Sequence, residues 1–373
     1  MLKRYLNLAK LLKEQKVLVI YGPRRVGKTT VLEDFLKQTK LKYKKDSGDN
    51  VKTRQILGSD DFDKIAEYAA GYELIAIDEA QLIPNIGMGL KILVDNVPGL
   101  RIIATGSASF ALSQQIGEPL TGRKITKNLY PLSQIELAEK YNKFELKEKL
   151  EEFLIFGSYP ECIMAESPVK KIEILEEIAN SYLLKDVLAL ERVKSSNVLI
   201  KLLKLLALQV GSEASLNELA TQTHLDVKTV DRYLDILEKG FVIKSLVSFS
   251  RNLRKELNRK YKYYFYDNGI RNALISQFNP LSDRNDAGAL WENFLVMERL
   301  KKQMIAPVYS NNYFWRTYDQ KEIDWIEERD GKLFGFEFKW GSKNKKEPKL
   351  WKETYKEAEF SVVNRENYLD FII

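Results

Sequence analysis

The sequence predicts an α/β protein: a parallel-sheet domain at the amino terminus, helical segments in the middle, and a second α/β unit at the carboxyl end. Three observations carry this. Residues 1 to about 135 alternate short apolar runs with stretches of helical period, the pattern of a doubly wound sheet. A strand, a glycine turn and a helix succeed one another around "YGPRRVGKTT", residues 21–30. Far downstream, "QKEIDWIEERDGKLFGFEFKW" alternates apolar and polar residues on both sides of Asp330-Gly331, a hairpin signal.

Composition narrows the classes. The chain has 373 residues, room for two or three domains, with 45% hydrophobic residues and ordinary globular cores. No apolar run approaches the ~18 residues of a membrane span, and "LNLAKLL" near the start is too short and interrupted for a secretory signal. The single cysteine, Cys162, excludes an internal disulfide framework, suits a reducing cytoplasm, and is expected as a buried small hydrophobe. The single histidine, His224, excludes a His-rich metal site and falls in an expected turn. A net charge of +7 admits a polyanionic partner without requiring one.

In chain order, "KVLVIYG" reads as a buried parallel strand and "TTVLEDFLKQ" as the helix after it. The turn between them fits G-x-x-x-x-G-K-[ST] as Gly22, Pro23, Arg24, Arg25, Val26, Gly27, Lys28 and Thr29, with Thr30 next. Such a loop aims backbone amides inward at the positive end of a helix and binds phosphate. Lys28 would reach the β/γ-phosphates of ATP and Thr29 would hold Mg²⁺. The polar stretch "KDSGDNVKTRQ", 45–55, is expected as a loop. "ELIAIDEAQ" is an apolar strand tipped by Asp78, for the Mg²⁺ water shell, and Glu79, for the attacking water; taken alone Asp78 would read as a helix cap, and the glycine loop upstream favours the metal role. "LRIIATGS" places Thr105 or Ser107 at a third strand end, as γ-phosphate or water contacts or as a simple cap. In "LTGRKI", expected as a flexible charged loop, Arg123 is either a surface residue or an arginine supplied in trans to another subunit's phosphoryl group.

From 136 to 205 the pattern is helical, with "FELKEKLEEFLIFG" and "VKKIEILEEIANSYLLKDVLALERV" separated at "FGSYPE". Over 206–265, "SLNELATQTHLDVKTVDRYLDILEKGFVIKSL" reads as helix, turn, helix and strand, a winged helix-turn-helix. Asp226 is expected to cap the second helix, whose buried face is Val227, Val230, Tyr233, Leu234 and Leu237 and whose outer side carries Lys228 and Arg232 beside Asp231 and Asp235. The wing "SRNLRKELNRKYK" groups Arg251, Arg254, Lys255, Arg259, Lys260 and Lys262 against one acid, Glu256, suiting phosphate contacts with DNA, with a solvated basic loop or a lid or protein contact as the other readings.

In the last segment, 266–373, a turn at Asp330-Gly331 sets Asp324 opposite Glu337 and Glu322 opposite Lys339, all on one face, with Ile323, Trp325, Phe336 and Phe338 on the other. Facing carboxylates repel, and a divalent metal would relieve that. This is the geometry of a PD-(D/E)xK nuclease core, with Asp324 and Glu337 on the metal and Lys339 at the attacking water, and Glu292 of "ALWENFLVMERL" resembles that superfamily's additional helix acid. An amphipathic hairpin with a Glu322–Lys339 ion pair is the other reading.

"GPRRVGKTT", "IDEAQLIP", "TGSAS", "LTGRKI" and "YPLSQIE" together resemble the AAA-type P-loop ATPases of archaea and bacteria that carry a carboxy-terminal domain of unknown function, relatives of the STAND and archaeal origin-binding ATPases. The resemblance runs from about residue 4 to 340. It implies an ATPase domain at 1–135, a helical lid at 136–205, a winged helix at 206–265 and a restriction-endonuclease-like domain at 266–373, and it matches Lys28, Thr29, Asp78 and Glu79 to the Walker residues. The chain departs in offering Thr105 and Ser107 where many such proteins carry Asn, and in lacking an evident second sensor arginine. The function expected is an ATP-driven, homo-oligomeric machine, a ring being one form, that moves on or remodels DNA in repair or recombination. The alternative is a STAND-like switch whose assembly depends on ATP.

Overall fold

A computed structural model describes residues 2–107, 119–183, 196–250, 260–317, 319–341 and 346–373. The amino-terminal sheet has five strands, β1 (Val17–Gly22), β2 (Tyr43–Ser47), β3 (Leu74–Asp78), β4 (Arg101–Ser107) and β5 (Lys124–Asn128), in the order β2-β3-β4-β1-β5. Every pairing is parallel. The apolar runs of the sequence exist because both faces are covered. In β1, Leu18 and Ile20 enter the main core, whereas Val17, Val19 and Tyr21 enter a second cluster with Ile75, Ile77, Ile102 and Ala104.

One expectation fails here. Residues 45–55 are not a loop: β2 and the helix Val51–Leu57 occupy most of them. An edge strand needs a backbone ladder on one side only, so polar, half-exposed residues suffice, and the Asn50 side chain caps the helix by accepting from Lys52 N. Arg123 lies in a turn, as expected, immediately before β5. Its carbonyl accepts from Val17 N at 2.8 Å, opening β5, and its guanidinium is ion-paired with Asp95 at 2.6 Å.

The helical middle begins at a capping box, Ser133 with Glu136, and a second, Asn142 with Glu145. The expected first helix is two, Lys143–Glu148 and Leu150–Phe156, parted at Lys149. The second starts at Pro168 and turns to π geometry over Ile178–Leu183; the rest of that expectation, 184–193, lies outside the described residues. Cys162 is buried as expected.

Beyond it, helices Leu216–Thr223 and Val227–Lys239 meet at His224, an exposed helix cap in the left-handed region. Asp226 caps the second helix, accepting from Thr229 N at 2.9 Å. Its buried face is as expected except at Val227, which is 38% exposed. Strand β6 (Glu213–Ala214) precedes these helices, and β7 (Ile243–Ser248) and β8 (Tyr261–Phe265) follow them, in antiparallel pairings β7–β8 and β6–β8.

These three strands do not close on themselves. With β9 (Asn311–Arg316), β10 (Glu322–Arg329), β11 (Lys332–Phe338) and β12 (Glu359–Val363) they form one seven-stranded sheet, β12-β11-β10-β9-β7-β8-β6. The join is a parallel pairing of Val247 with Tyr313 and Ser248 with Phe314. The long helix Ala287–Ile305 packs on this sheet. It is also bound to the amino-terminal half: Glu298 accepts from Gln134 N at 2.6 Å, and Lys301 donates to Leu132 O at 3.2 Å. Among the described residues no helix is long and apolar enough to cross a membrane.

Candidate functional site

Strand β4 lies between β1 and β3, so three strand ends converge: the glycine loop after β1, Asp78-Glu79 after β3, and Thr105 and Ser107 on β4. The loop's geometry depends on its two glycines. At Gly22 a Cβ would stand 2.0 Å from the Leu129 carbonyl oxygen, a contact only glycine allows. Gly27 takes φ +93° before the helix Lys28–Gln38, a conformation costly to other residues. Lys28, nearly buried, turns its ammonium onto the carbonyls of Gly22 and Pro23, both at 2.8 Å.

Thr29 Oγ1 donates to Asp78 Oδ2 at 2.7 Å, and Thr105 Oγ1 donates to Asp78 Oδ1. Glu79 has a left-handed backbone, φ 49°, at the strand tip. Its carboxylate is held by Gln81, whose amide also donates to Ser107 Oγ at 3.0 Å. Thus Lys28, Thr29, Asp78, Glu79, Thr105 and Ser107 share one edge of the sheet, where helix start, hydroxyl and carboxylates fit a Mg²⁺-nucleotide. Val26 is fully buried, and Thr30 sits on the first turn of the helix. Arg25 ion-pairs with Glu161 at 3.0 Å and Glu177 at 2.5 Å, both in the helical middle. Arg24 lies within the loop.

Sequence reasoning missed two residues here. Gln81 stands in "IDEAQ", two positions past Glu79, and that spacing was its signal. Arg4, far from the loop in sequence, donates to the Val26 and Tyr130 carbonyls and pairs with buried Glu136 at 2.8 Å; nothing local announces it. Arg123 is not brought to this edge. It precedes β5 beside Val17, and β1 runs five residues on to Gly22, roughly 17 Å at 3.3 Å per residue.

Among the basic residues, Lys228 and Arg232 are exposed. Lys260 is largely exposed and pairs with Glu213 at 2.8 Å. Arg251, Arg254, Lys255 and Arg259 lie outside the described residues. Lys262, counted with the wing, is not a surface residue: it is 1% exposed, because alternation along β8 turns it inward.

The hairpin keeps the expected register, Trp325 with Phe336 through Arg329 with Lys332. Its faces differ from expectation. A bulge in β10 sets Asp324 and Trp325 against Phe314 alone, so Ile323 packs with Ile326, Trp315, Leu333 and Trp351 while Trp325 enters the main core. Lys339 is paired with Glu337 at 2.6 Å rather than with Glu322, which pairs with Lys262 and more distantly with Arg316. Glu292 accepts from Lys262 at 3.0 Å and Tyr264 at 2.7 Å, and Asp324 accepts from Phe338 N at 2.7 Å. Burial first, then the carboxylates of Glu292 and Glu337, push the Asp324 carboxyl well above its ordinary range. Burial opposes charge on Lys262, but Glu292, Asp324 and Glu322 outweigh it and hold the ammonium above the ordinary lysine value. Glu292, Asp324 and Glu337 are therefore brought together, yet among the described residues no group of three or more His, Cys, Asp and Glu is arranged to hold a metal ion.

Comparison with known proteins matches three segments of the chain. Residues 14–138 match an AAA domain, 147–281 a domain of unknown function (DUF8612), and 287–370 another (DUF4143). The chain thus carries an AAA domain of the P-loop ATPase superfamily, a nucleotide-binding class that typically uses Mg²⁺, and a DUF4143 domain. It is 28% identical over 336 residues to an uncharacterized protein of Mycobacterium tuberculosis, covering 89% of this chain and 72% of that one. An uncharacterized protein of Haemophilus influenzae is 27% identical over 330 residues, 83% of this chain and 78% of its own. Among solved structures, one of Drosophila ORC bound to AT-rich DNA and Cdc6 is similar over 70% of this chain and 86% of that chain, at 11% identity and a TM-score of 0.25.

Proposed function

We propose that the chain is an ATP-hydrolysing, DNA-associated AAA-type machine that moves on or remodels DNA. The observation that carries it is the convergence of Lys28, Thr29, Asp78 and Glu79 on one sheet edge, with Thr29 Oγ1 2.7 Å from Asp78. A bound Mg²⁺-nucleoside triphosphate supplies the phosphoryl group and its countercharge. With it bound, Lys28 would turn from the Gly22 and Pro23 carbonyls to the β/γ-phosphates, Thr29 and Asp78 would hold the metal, and Glu79 would take the proton of the water that attacks the γ-phosphorus as ADP leaves. Gln81 orients Glu79 against Ser107.

The DNA role is supported by the helix–turn–helix with its β7–β8 hairpin, read as a winged helix, and by the basic stretch 251–260 between those strands. Residues 266–373, with Glu292, Asp324, Glu337 and Lys339 in proximity, are read as nuclease-like in fold. Turnover with single-stranded, duplex and four-way-junction DNA tests the proposal: stimulation is expected, and equal turnover with and without every DNA would overturn the DNA role.

A second reading is a nucleotide-operated switch, favoured by Arg25. It links the phosphate loop to Glu161 and Glu177, so a change at the loop reaches the helical middle directly. Nucleotide-dependent assembly without DNA stimulation would select it.

A further inference from the structure

The carboxylates of a nuclease-like site need a cation among them, and this chain supplies one covalently. Lys262 is the central group. Its side chain is 2% exposed and lies within ion-pair distance of Glu292 on the long helix and of Glu322 on β10. A buried ammonium is tolerated only where carboxylates surround it, and buried carboxylates likewise need a positive partner. Glu292, Glu337 and Asp324 each also accept a donor on one oxygen. Tyr264 donates to Glu292, Lys339 to Glu337, and Phe338 N to Asp324. A divalent ion entering here would have to displace these donors and lie beside a fixed positive charge.

We infer that the Lys262 ammonium occupies the place of the metal in the Glu292–Glu322–Asp324–Glu337 cluster, so that this site binds no divalent cation and serves to lock β8, the helix Ala287–Ile305 and the β10–β11 hairpin together. The inference goes beyond the nuclease-like fold proposed above, which stands whether or not metal binds.

Mn²⁺ counting by electron paramagnetic resonance tests it in a Thr29→Ala, Asp78→Asn parent, which removes the nucleotide-site metal ligands. At millimolar Mn²⁺ the parent is expected to bind none. Lys262→Met in that parent should gain one Mn²⁺ per chain, and Asp324→Asn should abolish the gain. If Lys262→Met does not fold, Lys262→Met with Glu322→Gln, which carries one acid fewer, gives the same readout. A parent that binds one Mn²⁺ per chain and loses it on Asp324→Asn with Glu337→Gln would overturn the inference. So would a folded Lys262 variant that gains none. ATP turnover of the otherwise wild-type Lys262→Met chain is read separately, so loss of the ATPase proposal and loss of this one are distinguishable.

Discussion

Glu79 takes its left-handed backbone from the strand end, and its carboxylate is fixed from the side by Gln81, itself tied to Ser107. The general-base role proposed for Glu79 is worth about 10²–10⁴ in rate. Glu79→Gln is therefore expected to bind ATP while hydrolysing it about 10²–10⁴ times more slowly, measured as phosphate release beside equilibrium nucleotide binding. Wild-type turnover in this variant would show that another group takes the proton. Lys28→Ala, removing the charge that faces the phosphates, is expected to lose both binding strength and turnover.

At the scale of elements, strands with both faces covered were legible because their apolar runs are uninterrupted: β1, β3 and β4 lie where the sequence places them. The edge strand β2 was not, since its burial comes from one neighbouring ladder and leaves no periodic trace in "YKKDS". The β10 bulge was equally silent: one extra residue between Ile323 and Ile326 reverses the face of Ile323 without changing composition. Lys262 shows the same gap at the site. It reads as one more wing lysine until the pleat of β8 is known. The basic stretch 251–260 is where charge alone decides. Replacing Arg254, Lys255, Arg259 and Lys260 with alanine should weaken DNA binding across all sequences and lower the log–log salt slope by about 0.9 for each phosphate that is no longer neutralised. An unchanged slope would turn that stretch toward protein.

At the scale of the molecule, Arg123 and the phosphate loop of the same chain occupy opposite ends of one sheet, so an Arg123 contribution to hydrolysis requires a neighbouring subunit. Arg123→Ala chains should bind ATP yet hydrolyse little, and mixing them with Glu79→Gln chains should restore activity through hybrid interfaces. No restoration in the mixture would confine Arg123 to its Asp95 pair. Global stability rests on a different arginine. Arg299 donates to both oxygens of buried Glu327, at 2.5 and 2.9 Å. Burial alone would raise that carboxyl, but the Arg299 hydrogen bonds outweigh it and hold it below the ordinary glutamate range. A carboxyl depressed in the folded state contributes stability above its unfolded titration, lost as pH falls through the folded value. Wild type should therefore lose stability on acidification, and Glu327→Gln, which breaks the pair, should be destabilised by about 3–5 kcal/mol at neutral pH and depend less on acid, as read by urea unfolding.

The pairing of Val247 with Tyr313 has a consequence for inheritance. The two family segments, 147–281 and 287–370, meet between β8 and β9, yet a single sheet runs through both. A recombination event at that boundary would hand one descendant an open β7 edge and the other an open β9 edge, each a template for misassociation. In this chain the two segments are heritable only as a couple.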